Sequence, residues 1–197
     1  MRTFVAVIAA AMVAASATAD PVTFRVEPAL TTARFAVTEL GMVSQSGRFE
    51  RTWGSIVLDP AHGGGSVDFI VDTTSVRTGW DLRDAFLRGE RMFDVERFPV
   101  IRFRSTHMVY AGAQLVAVDG AVTLRGVTQP VRLAVQGLRC TSVPPYGREE
   151  CGAVVATTIS RAAFGMTYAY PLVGDEIDLT VLITALRVRD GGETGTP

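Results

Sequence analysis

The chain has 197 residues, with 19 Lys or Arg against 20 Asp or Glu, and its formal net charge is −1. This balance argues against nucleic acid as a partner, because binding to phosphate requires a basic surface. The length fits one domain with a sizeable hydrophobic core.

The N-terminus has the layout of a secretory signal peptide. Arg2 supplies a positive charge, an apolar run covers residues 4–15, and Ala17-Thr18-Ala19 matches the A-x-A cleavage pattern. An apolar run of about 12 residues is too short for a membrane-spanning helix, which needs ~20. We therefore predict a signal peptide over residues 1–19, cleaved after Ala19, and secretion of the remaining chain.

Most of the chain after the signal consists of short strands separated by turns. Residues 32–39 alternate, with Ala33, Phe35 and Val37 on one face. Further strands are predicted over residues 54–59, 66–72, 100–105, 114–124, 131–135, 153–159 and 177–186. The Gly, Pro and Asp turns between several of them favour hairpins and antiparallel pairing. The sequence therefore predicts an all-β fold of eight or more strands.

One segment, residues 78–89, departs from this pattern. Leu82 and Phe86 recur at helical spacing, Thr78 can cap the start of a helix, and Gly89 can end it. A helix of two to three turns is marginal by itself, so it must pack on another element. We expect it to lie at the mouth of a barrel, with Leu82 and Phe86 on its inner face as a lid.

The two cysteines, Cys140 and Cys151, flank a turn at residues 144–147. In an oxidising compartment such a pair is typical of a structural disulfide. A metal site is disfavoured because two cysteines without a nearby histidine fall short of four ligands. A redox-active pair is disfavoured because the spacing is not C-x-x-C.

The polar side chains form no pattern that is typical of catalysis. His62 and His107 have no Cys or His partner at ligand spacing, and the carboxylate pairs, such as Glu149-Glu150, lie in predicted loops. The sequence contains no G-x-S-x-G elbow and no phosphate-binding loop. We predict no catalytic residue, no metal site and no cofactor.

The interior of the barrel is the remaining candidate site. An eight-stranded barrel is just wide enough inside for side chains or for one small ligand. We expect small inward residues to leave volume there, namely Ala33, Ala36, Ala117, Ala121 and Ala134. Because burying a methylene group contributes about 0.8 kcal/mol, a volume lined with hydrocarbon would bind a lipid tail.

Five blocks, in the same order, resemble the YceI-like proteins, the polyisoprenoid-binding family of the bacterial periplasm. They are F-A-V-T-E-L-G followed by G-R-F (35–49), G-S-I-V-L-D (54–59), R-D-A-F-L-R with the stretch to 105 (83–105), V-T-L-R-G-V-T-Q-P-V (122–131) and S-R-A-A-F-G-M (160–166). The chain has Glu39, and Thr31-Thr32, where the family often has histidine. A lipid head group that used those histidines would be recognised differently here.

The resemblance implies a lipocalin-like, extended antiparallel eight-stranded β-barrel with one short capping helix, over residues 20–189. Residues 190–197 are rich in Gly and Thr, and this composition predicts a flexible tail. It also implies a periplasmic binding or carrier protein, not an enzyme, that holds an isoprenoid lipid such as a quinone or a polyprenyl chain. The predicted ligand-binding residues are Phe35, Val37, Phe49, Phe69, Leu82, Phe86, Met92, Phe93, Phe103 and Phe164.

Two other functions stay open at this point. One is an enzyme acting on an isoprenoid, with Glu39 or Tyr168 as the polar group inside the pocket. The other is a fully packed barrel whose outer face docks on a membrane respiratory partner. Transient contact with a membrane and homodimerisation are also left open, as are the head group and the chain length of the lipid.

Overall fold

The computed structural model describes residues 20–144 and 147–189 as strands with one α-helix and four short 3-10 turns. The predicted signal peptide and the predicted tail lie outside the described residues, as does part of the predicted turn at 144–147. The strands are β1 Val22–Val26, β2 Thr32–Glu39, β3 Val43–Phe49, β4 Thr52–Asp59, β5 Gly64–Asp72, β6 Val76–Arg77, β7 Val100–Ala111, β8 Gln114–Leu124, β9 Val127–Val143, β10 Arg148–Ser160 and β11 Val173–Arg187, and the helix is α1 Asp81–Arg88.

Eight of these strands close into a ring, in the order β1-β4-β5-β7-β8-β9-β10-β11, with β11 returning to β1. All the pairings are antiparallel. The predicted all-β, antiparallel, eight-stranded barrel with one helix is therefore confirmed. The predicted strand at 32–39 lies outside this ring, however, and the ring is completed instead by β1, which was not among the predicted strands.

The long strand β11 explains how the barrel opens at one end. Its last three residues pair with β1, where Ala185 lies opposite Val26, and the part from Val173 to Leu182 pairs with β2, where Val181 lies opposite Ala33. From β2 the sheet continues as a branch through β3 to β6. This branch lies toward the end of the barrel where β11 begins, and that end also receives α1.

The alternation of apolar and polar residues along the strands determines which side chains form the core. On β5, Phe69 and Val71 are buried while Asp68 and Asp72 alternate with them. Asp68 faces outward and accepts a hydrogen bond from Nε of Arg102 on the neighbouring strand at 2.8 Å. This strand follows the predicted division into an apolar inner face and a charged outer face.

The cysteine prediction is confirmed: Cys140 and Cys151 form a disulfide between directly opposed positions of β9 and β10, with a Cα–Cα distance of 4.0 Å. The bond fastens the two strands together near the end of their hairpin. A structural disulfide of this kind is typical of proteins in an oxidising compartment.

The helix forms where predicted, but its start and its inner face differ from the prediction. Thr78 does not cap it: Trp80 occupies the N-cap position, and the backbone N–H and hydroxyl of Thr78 both donate to Oδ1 of Asp84 at 2.7 Å. Gly89 ends the helix, as predicted. Leu82 is 71% exposed, so its predicted inward orientation is wrong.

The helical period accounts for this correction. The buried positions of α1 are Asp84 and Leu87, which lie three residues apart on one face. On a helix of 3.6 residues per turn Leu82 lies almost opposite this face. Phe86, four residues later, lies beside Leu82 at the edge of the exposed side, where it is 38% exposed and still borders the cavity. In the described part of the chain, no helix is long and apolar enough to cross a membrane.

Candidate ligand-binding cavity

The barrel encloses a cavity of about 390 Å³. Its wall includes residues from all eight strands of the ring and from β2, β3 and α1. Most of the lining side chains are aliphatic or aromatic, and their strand positions follow the inward alternation. A volume of this size falls within the range of ~300–1,000 Å³ that is usual for small-molecule sites.

Eight of the ten predicted ligand-binding residues lie on the wall of this cavity. They are Phe35, Val37, Phe49, Phe69, Phe86, Met92, Phe93 and Phe103. Leu82 points away from it, as described above. Phe164 is 2% exposed and packs within the hydrophobic core, at the end of a 3-10 turn, and does not border the cavity. The role of the eight in binding stays a prediction.

The source of the internal volume differs from the prediction. Of the alanines expected to leave space, only Ala33 lines the cavity; Ala36, Ala117, Ala121 and Ala134 do not. Ala36 lies between Phe35 and Val37, which are lining residues, so it must face the other side of its strand. The prediction for these four residues is wrong.

Glycines that lie next to phenylalanines of the adjacent strand make room instead. Phe35 lies directly opposite Gly47, and a Cβ atom on Gly47 would lie 2.4 Å from the Phe35 ring. On β8, a Cβ atom on Gly120 would lie 2.6 Å from the ring of Phe103. Each phenylalanine ring therefore occupies the space that a side chain on the glycine would fill. The ring can lie flat against the barrel wall and leaves the interior open.

Three phenylalanines pack together beneath the helix. The ring centroids of Phe35 and Phe49 are 5.5 Å apart, and those of Phe49 and Phe93 are 5.4 Å apart. Phe35 and Phe93 complete the triangle at 6.4 Å, with an edge-to-face arrangement. Such spacings are favourable for aromatic pairs. The triangle joins β2 and β3 to the segment that follows α1 and forms one side of the cavity.

A second aromatic pair lies where the cavity reaches the surface. Phe86 of α1 and Tyr168 of the segment between β10 and β11 have ring centroids 4.9 Å apart, and both line the cavity while remaining partly exposed. The guanidinium of Arg91 lies 5.6 Å from the centroid of the Tyr168 ring. We call this opening, bounded by α1, the β2–β3 turn and the segment around Tyr168, the mouth.

Polar groups are concentrated at the mouth. Nη1 of Arg83 donates to Oε1 of Gln45 at 2.6 Å, and both residues line the cavity. Glu39 and Tyr168, the two residues named as candidates for an enzymatic role, also lie on its wall. Within the described residues, neither side chain has a hydrogen-bonding partner that would orient it as an acid or base.

Arg161 holds the segment that carries Tyr168. The residue is 2% exposed, and its guanidinium donates to the backbone carbonyls of Met166, Tyr168, Val173 and Gly174 at 2.7–2.9 Å. Burial lowers the pKa of Arg161 from its usual high value, and the charge of Asp175 opposes this effect. Four carbonyl acceptors compensate the buried charge and fix the path of the chain past the mouth.

The helix is held by a similar arrangement on the other side of the mouth. Arg88 donates from Nε to the carbonyl of Thr74 and from Nη2 to the carbonyl of Val76, each at 3.0 Å. Asp84 is buried and accepts both hydrogen bonds from Thr78. Arg88, Asp84 and Arg161 are not among the predicted site residues, because their roles depend on contacts with backbone groups of other segments.

A comparison with protein families identifies the chain, because the model of the YceI-like domain matches residues 24–185. The chain belongs to the YceI-like family. The match lies inside the predicted barrel, residues 20–189, and confirms the resemblance seen in the five sequence blocks. A UPF0312 protein of Vibrio parahaemolyticus is 29% identical over 156 residues, which cover 78% of this chain and 80% of the relative.

Solved structures show the same YceI-like fold. BcnA of Burkholderia cenocepacia superposes with a TM-score of 0.69 at 21% identity, covering 81% of this chain and 98% of that chain. A polyisoprenoid-binding domain from Saccharophagus degradans has a TM-score of 0.63 at 16% identity, covering 85% and 99%. At these identities the likeness establishes the fold alone, a lipocalin-like closed barrel.

Proposed function

We propose that this protein binds an isoprenoid-type lipid, a quinone or a polyprenyl chain, inside the barrel and carries or sequesters it without changing it chemically. The observation that carries the proposal is the enclosed cavity of about 390 Å³. Its walls are mostly hydrocarbon, and it reaches the surface at the mouth. This arrangement suits a long apolar chain with its head group at the opening.

The energetics favour such a ligand over a polar one. Each buried methylene group contributes about 0.8 kcal/mol, so the affinity rises with chain length until the cavity is filled. A polar ligand deep in the barrel would lose its hydrogen bonds to water without finding partners. The polyisoprenoid-binding domain of Saccharophagus degradans, which has the same fold, supports the choice of an isoprenoid.

The polar groups at the cavity support a binding role more than a catalytic one. The guanidinium of Arg161 is already engaged by four backbone carbonyls. Arg83 and Gln45 are hydrogen-bonded to each other. Glu39 and Tyr168 are the residues named for an enzymatic role, and a Glu39→Gln/Tyr168→Phe variant tests catalysis directly. The alternative function, docking on a membrane respiratory partner, assumed a barrel with a fully packed interior, and the cavity is inconsistent with that assumption.

The disulfide between Cys140 and Cys151 favours a periplasmic location.

The direct test is native mass spectrometry of protein that has been exported to a bacterial periplasm and purified without detergent, followed by organic extraction of the ligand. We expect one isoprenoid lipid per chain, or stoichiometric uptake of added ubiquinone or undecaprenol. A chain that is empty and takes up neither lipid would overturn the proposal.

A matched pair of variants ties binding to the cavity. Ala153 and Val154 are neighbours on β10; Ala153 lines the cavity, whereas Val154 is an exposed side chain on the other face of the strand. Ala153→Phe places a ring inside the cavity and should reduce uptake of the long chain more than that of a short one. Val154→Phe adds the same group outside and should bind like the wild type.

A further inference from the structure

Exposed apolar side chains are concentrated around the mouth. Sixteen large apolar side chains are exposed in the described part of the chain, and nine of them belong to three segments. These nine are Leu40, Met42 and Val43 in the β2–β3 turn and the start of β3, Trp80, Leu82 and Phe86 on and before α1, and Tyr168, Tyr170 and Leu172 before β11. We call them the apolar rim.

The three segments are in contact with one another. The N–H of Leu40 donates to the carbonyl of Leu172 at 2.7 Å, which joins the β2–β3 turn to the segment before β11. The Phe86–Tyr168 ring pair joins that segment to the helix, and the hydrogen bond from Arg83 joins the helix back to β3. The three segments that carry the apolar rim are therefore connected to one another around the mouth.

Folding of the barrel does not account for this surface. Met42 is 84% exposed and Leu82 is 71% exposed, so neither contributes to the core or to the cavity wall. A soluble domain rarely leaves a contiguous apolar patch of this kind unless it meets a partner. The mouth lies at the centre of this patch, and any ligand of the cavity has to pass through it. The partner must therefore leave that passage open to the ligand.

The chemistry of the apolar rim fits a lipid bilayer. Two aromatic rings carry a guanidinium on one face: Arg83 lies 5.3 Å from the ring centroid of Trp80, and Arg91 lies 5.6 Å from that of Tyr168. Trp and Tyr are enriched where hydrocarbon meets lipid head groups, and arginine there can keep its charge in the polar layer. Leucine and methionine beside them can enter the acyl layer.

We propose that the apolar rim docks on the surface of a lipid bilayer and holds the mouth of the cavity against it. This inference rests on the proposed function, because a lipid ligand could then move between bilayer and cavity without exposing its chain to water. The rim has acids as well as bases, with Asp81 and Glu90 near Arg83 and Arg91 in sequence. Docking is therefore apolar in character and does not need anionic lipid.

The test mixes the chain that follows the predicted signal peptide, without added ligand, with vesicles of neutral phosphatidylcholine. Flotation on a density gradient measures the bound fraction. The Met42→Glu/Leu82→Glu double variant introduces two charges on the rim, and both sites are exposed, so the barrel stays folded. The matched control, Leu30→Glu/Leu182→Glu, places the same charges at exposed leucines outside the rim. Circular dichroism verifies the fold of all the variants.

We expect the wild type and the control to float with the vesicles, and the rim variant to bind at least about tenfold more weakly because two apolar contacts are replaced by charges. Binding should change little when phosphatidylglycerol or salt is added. Absence of flotation with every vesicle composition, or equal loss in the control, would overturn the proposal.

Tryptophan fluorescence tests the orientation independently. The chain has two tryptophans, and Trp53→Phe leaves Trp80 of the rim as the single reporter. Vesicles with brominated acyl chains should quench Trp80, whereas in a Trp80→Phe variant they should leave the emission of Trp53 on β4 unchanged. Quenching of Trp53 alone would contradict the proposed orientation.

Self-association through the rim would be a different outcome. Sedimentation equilibrium would then show a dimer that the Met42→Glu/Leu82→Glu variant loses, with no vesicle binding, and this would overturn the bilayer proposal. Retention of a preloaded isoprenoid in the absence of vesicles tests the proposed function separately from the rim proposal. Retention with no docking refutes only the rim proposal, and docking with no retention refutes only the proposed function.

Discussion

Phe86 and Tyr168 meet across the mouth of the barrel with their ring centroids 4.9 Å apart. They come from elements held in different ways, since Phe86 lies on the helix anchored by Arg88 and Tyr168 lies on the segment anchored by Arg161. The pair is therefore the point at which two separately fixed parts of the structure narrow the opening of the cavity.

This pair should control the rate at which a bound lipid leaves. Phe86→Asp removes the ring and places a charge at the mouth, so we expect dissociation of a bound polyprenol or quinone to accelerate by about tenfold or more. Because Phe86 is 38% exposed, the barrel should remain folded. The measurement is the rate of transfer of a fluorescent isoprenoid to an acceptor protein.

Leu82→Asp is the matched control for this experiment. It adds the same charge to the outward side of the same helix, and Leu82 does not line the cavity. Its dissociation rate should equal that of the wild type. Equal rates for a folded Phe86→Asp variant and the wild type would show that the pair is not a barrier.

The pairing of Phe35 with Gly47 should determine the usable volume of the cavity. In Gly47→Ala the new methyl group would lie 2.4 Å from the present position of the Phe35 ring, so the ring must move into the cavity. We expect weaker binding of a long isoprenoid and a loss of stability of about 1–3 kcal/mol. Titration with lipid and urea denaturation measure the two effects.

A double-mutant cycle tests whether displacement of the Phe35 ring causes the loss of stability in Gly47→Ala. Phe35→Leu removes the ring that the methyl group displaces, and therefore Gly47→Ala should cost less in the Phe35→Leu background than in the wild type. If the two substitutions were simply additive, the ring over Gly47 would not explain the requirement for glycine at this position.

Arg161 should be essential for stability at the mouth end. Arg161→Met leaves four backbone carbonyls without their donor, so we expect the free energy of unfolding to fall by about 2–4 kcal/mol. Arg161→Lys should recover only part of the loss, because an ammonium group cannot reproduce the planar guanidinium. Arg139→Met, at an exposed arginine, should change stability by less than about 0.5 kcal/mol.

Stability should decline in acid partly through Asp68. Hydrogen bonds from Arg102 hold the pKa of Asp68 below its ordinary value, against some desolvation and with help from the charges of Arg102 and Arg104. The carboxylate therefore stabilises the fold at pH values above its unfolded pKa of about 3.9, and this contribution is lost as the pH falls through the lower pKa of the folded state.

Two variants isolate this contribution. Asp68→Asn should lower stability at pH 7 and make stability fall less steeply than that of the wild type below about pH 4. Glu96→Gln alters an exposed carboxylate for which no ion pair occurs in the described part of the chain, and should follow the wild-type curve. Urea denaturation at a series of pH values provides the comparison, and parallel curves for Asp68→Asn and the wild type would refute the assignment.

The sequence by itself determined the fold class, the disulfide and the family. Alternation on strands such as β5, where Phe69 and Val71 face inward between aspartates, depends only on neighbours along the chain and is therefore readable from it. The same is true of the cysteine pair and of Gly89 at the end of the helix. Five of the predicted binding residues lie on the cavity wall for this reason, namely Phe35, Val37, Phe49, Phe69 and Phe103.

Only the tertiary structure decided which strand closes the barrel and where the free volume lies. β1 alternates between apolar and polar residues, with Phe24 and Val26 buried, but alternation does not say which strand closes a barrel; β1 closes it because β4 and β11 supply partners on both sides. The space opposite Phe35 and Phe103 depends on glycines from other strands, and the orientation of Leu82 depends on Asp84 and Leu87 being the face that packs inward. Such features follow from register and packing between distant segments, which local periodicity does not encode.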